Sequence, residues 1–252
     1  LTVSNTTFNG SVSGSGTINI NDTFFPSDTN GVDLTSDNSS FTGSVNVQVG
    51  ALFVDNASSL TAATSVTVNS GALLKGNGGL SSSTIQSGGT LAPGHSPGCL
   101  SFSSVTLNGT LTDQIGGTIA CADYDQLNVS GNADISNSTL QVSFVNGFSP
   151  SVGQTFTIIN NTGSSPITGT FNGLSEGSTF TSGGVTFSIS YIGGSGNSVV
   201  LTVVSSASGS GSTPASPNTG SSIKLANPLI ILAATLICSS SLILLSRKIS
   251  NT

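Results

Sequence analysis

The residues Gly50-Ala-Leu, Gly71-Ala-Leu, Gly89-Thr-Leu and Gly109-Thr-Leu recur at intervals of 21, 18 and 20 residues. No other feature limits the fold of this chain so tightly, because a period in that range is the signature of a stacked repeat. Short alternating runs lie between the marks, as in Ser65-Val-Thr-Val-Asn and Ser104-Val-Thr-Leu-Asn, and Phe8-Asn-Gly-Ser-Val returns as Phe41-Thr-Gly-Ser-Val. Alternating β-branched and polar residues make a strand with one buried face. A single coil of such strands leaves its backbone N–H and C=O groups unpaired above and below. Stacking the next coil pairs them and extends a narrow apolar core. The expected fold is therefore all-β, with coils of about 20 residues stacked in parallel. An antiparallel sandwich would instead use tight Asn-Gly hairpins, for which Asn9-Gly, Asn108-Gly and Asn172-Gly are the candidates.

Composition agrees with the strand assignment and removes one class of partner. Charged residues are 6% of the 252, Met and Trp are absent, and glycine numbers 32. Ordinary soluble domains carry roughly 25% charge. All ten acidic residues lie between Asp22 and Glu176, and Lys75 is the sole base before Lys224. One lysine against ten carboxylates cannot neutralise a phosphate backbone, so no nucleic-acid partner is expected.

The last fifth of the chain has a different chemistry. Ser205 to Ser216 reads SSASGSGSTPAS, the composition of a flexible linker. No charged residue occurs from Leu225 to Ser246, and at about 1.5 Å per residue a helix of that length crosses a ~30 Å hydrocarbon core. Pro228 stands near its start, where helices tolerate proline. Arg247 and Lys248 follow at once, which orients the C-terminus to the cytoplasm and the β region to the outside. The opening Leu1-Thr-Val-Ser has no basic segment before an apolar stretch, which points to an export signal already removed or to a fragment.

Two resemblances sharpen these expectations. Ser216-Pro217-Asn218-Thr219-Gly220, ahead of an apolar run with a basic end, resembles the cell-wall sorting signal read by sortases, Leu-Pro-any-Thr-Gly. Pro217, Thr219 and Gly220 match that pattern, Asn218 fills the free position, and Ser216 replaces the usual Leu. The resemblance implies cleavage between Thr219 and Gly220 and transfer to peptidoglycan. A GPI signal normally lacks the basic end that Arg247 and Lys248 supply. The second resemblance is longer. Phe41-Thr-Gly-Ser-Val-Asn-Val-Gln-Val-Gly-Ala-Leu-Phe-Val resembles the β-strand repeat of autotransporter passenger domains, and Ser65 to Leu100, with Ala92-Pro-Gly-His-Ser-Pro-Gly98, resembles the last repeats before their closing module. Asp123-Tyr-Asp-Gln-Leu-Asn-Val-Ser-Gly, Val152-Gly-Gln-Thr-Phe-Thr-Ile-Ile, Gly169-Thr-Phe-Asn-Gly-Leu and Asn197-Ser-Val-Val-Leu-Thr follow in the family's order. The likeness spans roughly residues 40–204 and implies a right-handed parallel β-solenoid with a C-terminal β cap on an adhesin-like surface protein. Autotransporters end in a membrane β-barrel. This chain has a single apolar segment there, which implies another export route.

Candidate chemistry is sparse. His95, the only histidine, lies in a Pro-Gly-rich turn with no carboxylate near it in sequence, so it reads as a turn residue. Asp123 and Asp125 flank Tyr124. On a strand they would share a face about 7 Å apart, a separation a glycosidase could use. The β region has no arginine and no tryptophan for a sugar platform, and the family resemblance makes this segment structural. Gly193-Gly-Ser-Gly-Asn echoes a calcium-binding repeat, but Ser198 replaces the ligand aspartate. Cys238 sits in the apolar run. Cys99 and Cys121 lie 22 residues apart, about one coil, so stacking can bring them to disulfide distance in adjacent rungs. The other outcome is two isolated thiols.

The resulting expectation divides the chain into solenoid repeats over 1–120, a capping module over 121–204, a linker with the sorting motif over 205–224, a transmembrane helix over 225–246 and a cytoplasmic tail over 247–252. It has no catalytic or metal-binding residues and no cofactor. It is a single-pass surface protein, anchored to membrane or wall, whose β region meets an extracellular ligand or partner cell. The alternatives are a polysaccharide-degrading β-helix enzyme and a self-assembling surface layer.

Overall fold

In a computed structural model of the protein, the residues described are 2–3, 6–22, 31–55 and 59–206. Ser216, Pro217, Asn218, Thr219, Gly220, the segment 225–246, Arg247 and Lys248 lie outside them. The described residues are all β, without helix, and their strands join in one sheet that wraps a common core.

Two ladders of parallel strands make up most of this sheet. The first runs from Thr17–Asn21 through the front half of Ser44–Val54, then Ser65–Val68, Gly79–Ile85, Cys99–Leu107 and Gln126–Val129 to Thr155–Asn161. The second runs from Val32–Leu34 through the back half of Ser44–Val54, then Ala72–Gly76, Thr90–Pro93 and Thr110–Ile115 to Thr139–Phe144. The chain alternates between them, so each strand lies on the one a repeat earlier. Ser65 Oγ, for example, donates to Ser44 Oγ, 21 residues back.

Alternation along each strand puts every second side chain inside. In the first ladder Ile20, Val47, Val68, Ile85 and Leu107 form one buried column. In the second, Val32, Leu52, Leu74, Leu91 and Leu111 form another, each fully buried. This column departs from the Gly-x-Leu marks at one place. Gly50 lies opposite Ala72, so Leu74 takes the inward place and Leu73 faces out. Gly71 is in the left-handed region at φ 77°, a turn conformation that costs a glycine little. The turn absorbs one residue, and the register of the next strand moves by one. Gly109 serves differently: a Cβ there would collide with the backbone of Gly89 one rung below. Asn108-Gly109 is thus the corner between the ladders and not a hairpin.

Parallel pairing continues on both sides of residue 120, since Cys99–Leu107 pairs with Gln126–Val129 and Thr110–Ile115 with Thr139–Phe144. Strand direction changes farther on. Thr155–Asn161 still lies parallel to Gln126–Val129, but its other edge pairs antiparallel with Ser198–Ser206. That strand pairs antiparallel with Val185–Gly193, which pairs antiparallel with Thr179–Ser182. Gly183 and Gly184, both at positive φ, form the two-residue hairpin that joins the last two strands. Aromatic rings fill the space beneath. Phe156 makes edge contacts with Tyr124, Phe148 and Phe187, while Phe144 and Phe180 stack on Phe187.

Candidate functional site

After Thr90–Pro93 the chain leaves the second ladder and returns at Cys99. Gly94 and Ser96 both have positive φ, and the Ser96–Pro97 bond is cis. A Cβ on Gly94 would strike Gly98, so the loop closes tightly on itself. It carries His95 back over two earlier rungs. The imidazole stacks on Phe53 with centroids 5.8 Å apart and an interplanar angle of 4°. Its Nε2 lies 2.5 Å from Asp55 Oδ1.

Asp55 directly follows Ser44–Val54, its N–H donating to Leu34 O at 3.0 Å. Asp33 lies opposite Phe53 on the rung before. Burial raises the pKa of the Asp33 carboxyl, and the charge and hydrogen bond of Asp55 raise it further, with His95 acting the other way. One Asp33 oxygen, Oδ1, is buried without a hydrogen-bond partner. The result is a short line of Asp33, Asp55 and His95, with the histidine side chain 47% exposed at its outer end. The carboxylate that the sequence did not place near His95 comes from a strand end 40 residues earlier. Stacking supplies it, because consecutive coils bring distant residues to one edge.

A second group of acids sits behind the same loop. Asp125 is 1% exposed and accepts from Gly98 N at 2.7 Å and Gln114 N at 2.9 Å. It thereby ties the loop to Thr110–Ile115. Burial pushes its pKa up to about 7 against the pull of those two N–H groups and of Lys75. Asp113 points inward from Thr110–Ile115 at 0% exposure, and neither oxygen has a hydrogen-bond partner. Its pKa is raised well above the carboxylate range, by burial first and then by Asp125. Cys99 and Cys121 form a disulfide beside them, with Cα atoms 4.8 Å apart. Cys99 opens a strand, whereas Cys121 lies in a turn at φ 66°. The bond therefore joins a rung to the turn over it.

Asp123 and Asp125 do not share a strand face. The strand begins at Gln126, and Asp123 Oδ2 instead accepts from the N–H groups of Thr118 and Ile119 at 3.2 and 3.1 Å. Both carboxylates are engaged by backbone. Gly193 to Ser198 is the connection between two antiparallel strands, with the Asn197 amide donating to Gly163 O. Among the described residues no three of His, Cys, Asp and Glu are placed to hold a metal ion.

The outer face of the first ladder is of another kind. Thr17, Ser44 and Ser65 line up in one row, joined by Ser82 and Ser104. Asn19, Asn46, Thr67, Thr84 and Thr106 form a second row. Neither row carries a charge as far as Ser104 and Thr106, and Asp134 stands opposite Thr106 on the next rung. Strand spacing sets the repeat along each row at about 4.8 Å, so hydroxyl and amide groups stand in fixed ranks. This ordered polar face was not visible as such in the sequence, although the Ser-Val-Thr and Ser-Val-Asn triplets are its trace.

No protein-family model matches this chain, and no curated protein matches it.

Proposed function

We propose that the protein is a surface-anchored attachment protein whose β region is a right-handed parallel β-solenoid with a C-terminal cap. The observation that carries this reading is the in-register Ser/Thr/Asn face of the first ladder, uncharged over five rungs before Asp134. Hydroxyl and amide groups held at regular spacing can make many weak, directional hydrogen bonds at once, which suits adhesion better than turnover. The advance of each parallel strand by one repeat supports the solenoid, and the likeness of residues 40–204 to autotransporter passengers agrees with it. Residues 205–252 supply the anchor in this reading. A linker holds the β region clear of the membrane, and the apolar run with Arg247 and Lys248 stops transfer. A sortase then joins Thr219 to peptidoglycan.

The test is made on the protein's own cells. Cells displaying the chain should adhere to a partner surface several-fold better than cells lacking it, and the mature protein should end at Thr219 with a wall peptide attached. Equal adhesion by both strains overturns the attachment role. An intact chain through Thr252 replaces the wall link with a lasting membrane helix. The competing polysaccharide-cleaving enzyme would act through Asp123 and Asp125, and the engagement of both carboxylates by backbone N–H groups speaks against it.

A further inference from the structure

The outer face of the first ladder keeps one pattern over four consecutive rungs. Ser44-Val-Asn-Val-Gln, Ser65-Val-Thr-Val-Asn, Ser82-Ser-Thr-Ile-Gln and Ser104-Val-Thr-Leu-Asn each bury their second and fourth residues and leave the first, third and fifth half-buried or exposed. The four segments begin 21, 17 and 22 residues apart, so the turns absorb unequal lengths while the face stays in register. Asn69 N donates to Val47 O, Gln86 N to Val68 O and Asn108 N to Ile85 O. These bonds carry the register into a third row, Gln48, Asn69, Gln86 and Asn108.

Strand formation does not demand this uniformity. On the second ladder, the column beside the inward leucines holds Asp33, Phe53, Lys75 and Ala92. An acid, a ring, a base and a methyl group are all accepted there. The first ladder instead repeats short neutral groups in two directions, about 4.8 Å along the stack and about 6.7 Å between rows. Neighbours also hold one another in place. Ser65 Oγ donates to Ser44 Oγ at 3.2 Å, and the Asn46 amide donates to Asn19 Oδ1 at 3.3 Å.

We infer that this face binds ice, an assignment that rests on the attachment reading above and names what is held. The three rows carry no aromatic ring on which a sugar could stack. Through Ser104 and Thr106 they offer no charge to an ionic ligand, and they lack the aromatic and arginine anchors around which protein interfaces form. What remains is a rank of hydroxyls and amides, each able to donate and to accept as water does. A two-dimensional array fits best a partner that repeats in the same two directions. The water oxygens of ice do so, at distances close to these. A rigid sheet loses little freedom when it meets such a lattice, and many weak bonds then form together. Asp134, on the next rung, marks the end of the array.

The experiment grows ice slowly in a suspension of cells displaying the full chain and compares the fraction of cells frozen into the crystal with that of cells lacking the chain. Thr67→Tyr and Thr84→Tyr each raise a large group from the middle row, and tyrosine suits a strand. Thr112→Tyr places the same group on the second ladder. The melting temperature of each full-length variant in detergent micelles checks its fold. The expected result is several-fold enrichment in ice that requires the chain, falls several-fold in both face variants and persists in Thr112→Tyr. Chain-dependent capture that survives both face variants overturns the assignment to this face, as does equal loss in folded Thr112→Tyr. If the chain gives no enrichment in ice while its cells still adhere to a partner surface, this inference fails and the attachment reading stands. If adhesion is also absent, both fail.

Discussion

The parallel stack and the antiparallel end solve the same problem with different side chains. In the stack, columns such as Val32, Leu52, Leu74, Leu91 and Leu111 offer the core one aliphatic residue per rung, with Ser83 and Phe102 as departures in other columns. At the end, Phe144, Phe148, Phe156, Phe180 and Phe187 gather with Tyr124. A stack can continue because each rung leaves its outer edge open to the next. It can stop only where something covers the last apolar layer and uses the last open edge. Large rings cover more area per residue than Val or Leu, and a reversed strand pairs the edge without inviting another parallel one. The uncharged ranks of the first ladder belong to the repeating region. The terminal region supplies closure.

This contrast can be broken by mutation. Phe156→Ala should give the largest effect, lowering stability by about 4 kcal/mol, whereas Leu74→Ala in the stack should cost about 3 kcal/mol or less. Phe156 touches three other rings, and its loss opens a cavity that the end strands cannot close. Urea unfolding of the two variants measures the difference, and a larger loss for Leu74→Ala would remove the special role of the aromatic end.

A smaller effect tests the seam between the regions. Replacing both Cys99 and Cys121 with Ser should cost about 3 kcal/mol, the loop-closure value for a bridge of this span. The loss should appear mainly as easier unfolding from the seam toward the end. Hydrogen exchange that rises equally in the strands near Ile18 and Ile159 would contradict that localisation.

The smallest effect of a substitution concerns the buried acid Asp113, and its sign follows from the direction of the shifts. Asp125 has a folded pKa of about 7 against an ordinary 3.8, and Asp113 is raised as well. A raised carboxyl contributes its full stability below the ordinary value and loses it as pH climbs to the folded value. The melting temperature should therefore fall between about pH 4 and pH 7. Asp113→Asn removes one of the two ionisations and should raise stability at pH 8 by about 1 kcal/mol while flattening the pH dependence. A melting temperature that rises with pH across this window, or a less stable Asp113→Asn at pH 8, would show that these carboxyls ionise freely in the folded protein.

Much of the stack was legible because its cause is local. The Gly-x-Leu marks and the alternating runs are visible in any short window, and they report strands with one buried face. The one-residue shift that buries Leu74 in place of Leu73 was not legible. It depends on how much of the Gly71 turn is taken up before pairing begins, and nothing in Gly-Ala-Leu-Leu distinguishes the two leucines. The partner of His95 was not legible for a related reason, although the turn around it was. Asp55 is distant in the chain and adjacent only because two rungs intervene. Asp113 was silent too, since Leu-Thr-Asp-Gln-Ile reads as a strand on either face until its register is known. The final strands carry the same Thr, Phe and Val as the others, and only the Gly183-Gly184 turn marks the reversal.

By itself the sequence determined the strand chemistry, the repeat length, the poverty of charge and the single pair of cysteines one coil apart. These properties follow from residue type and near-neighbour spacing. Only the tertiary structure decided the register of each rung, the burial of Asp113 and Asp125, and the Asp33–Asp55–His95 line. Each of these depends on which residue lies one coil above or below. That choice is made by the turns and by packing across the core, so no local stretch of the chain contains it.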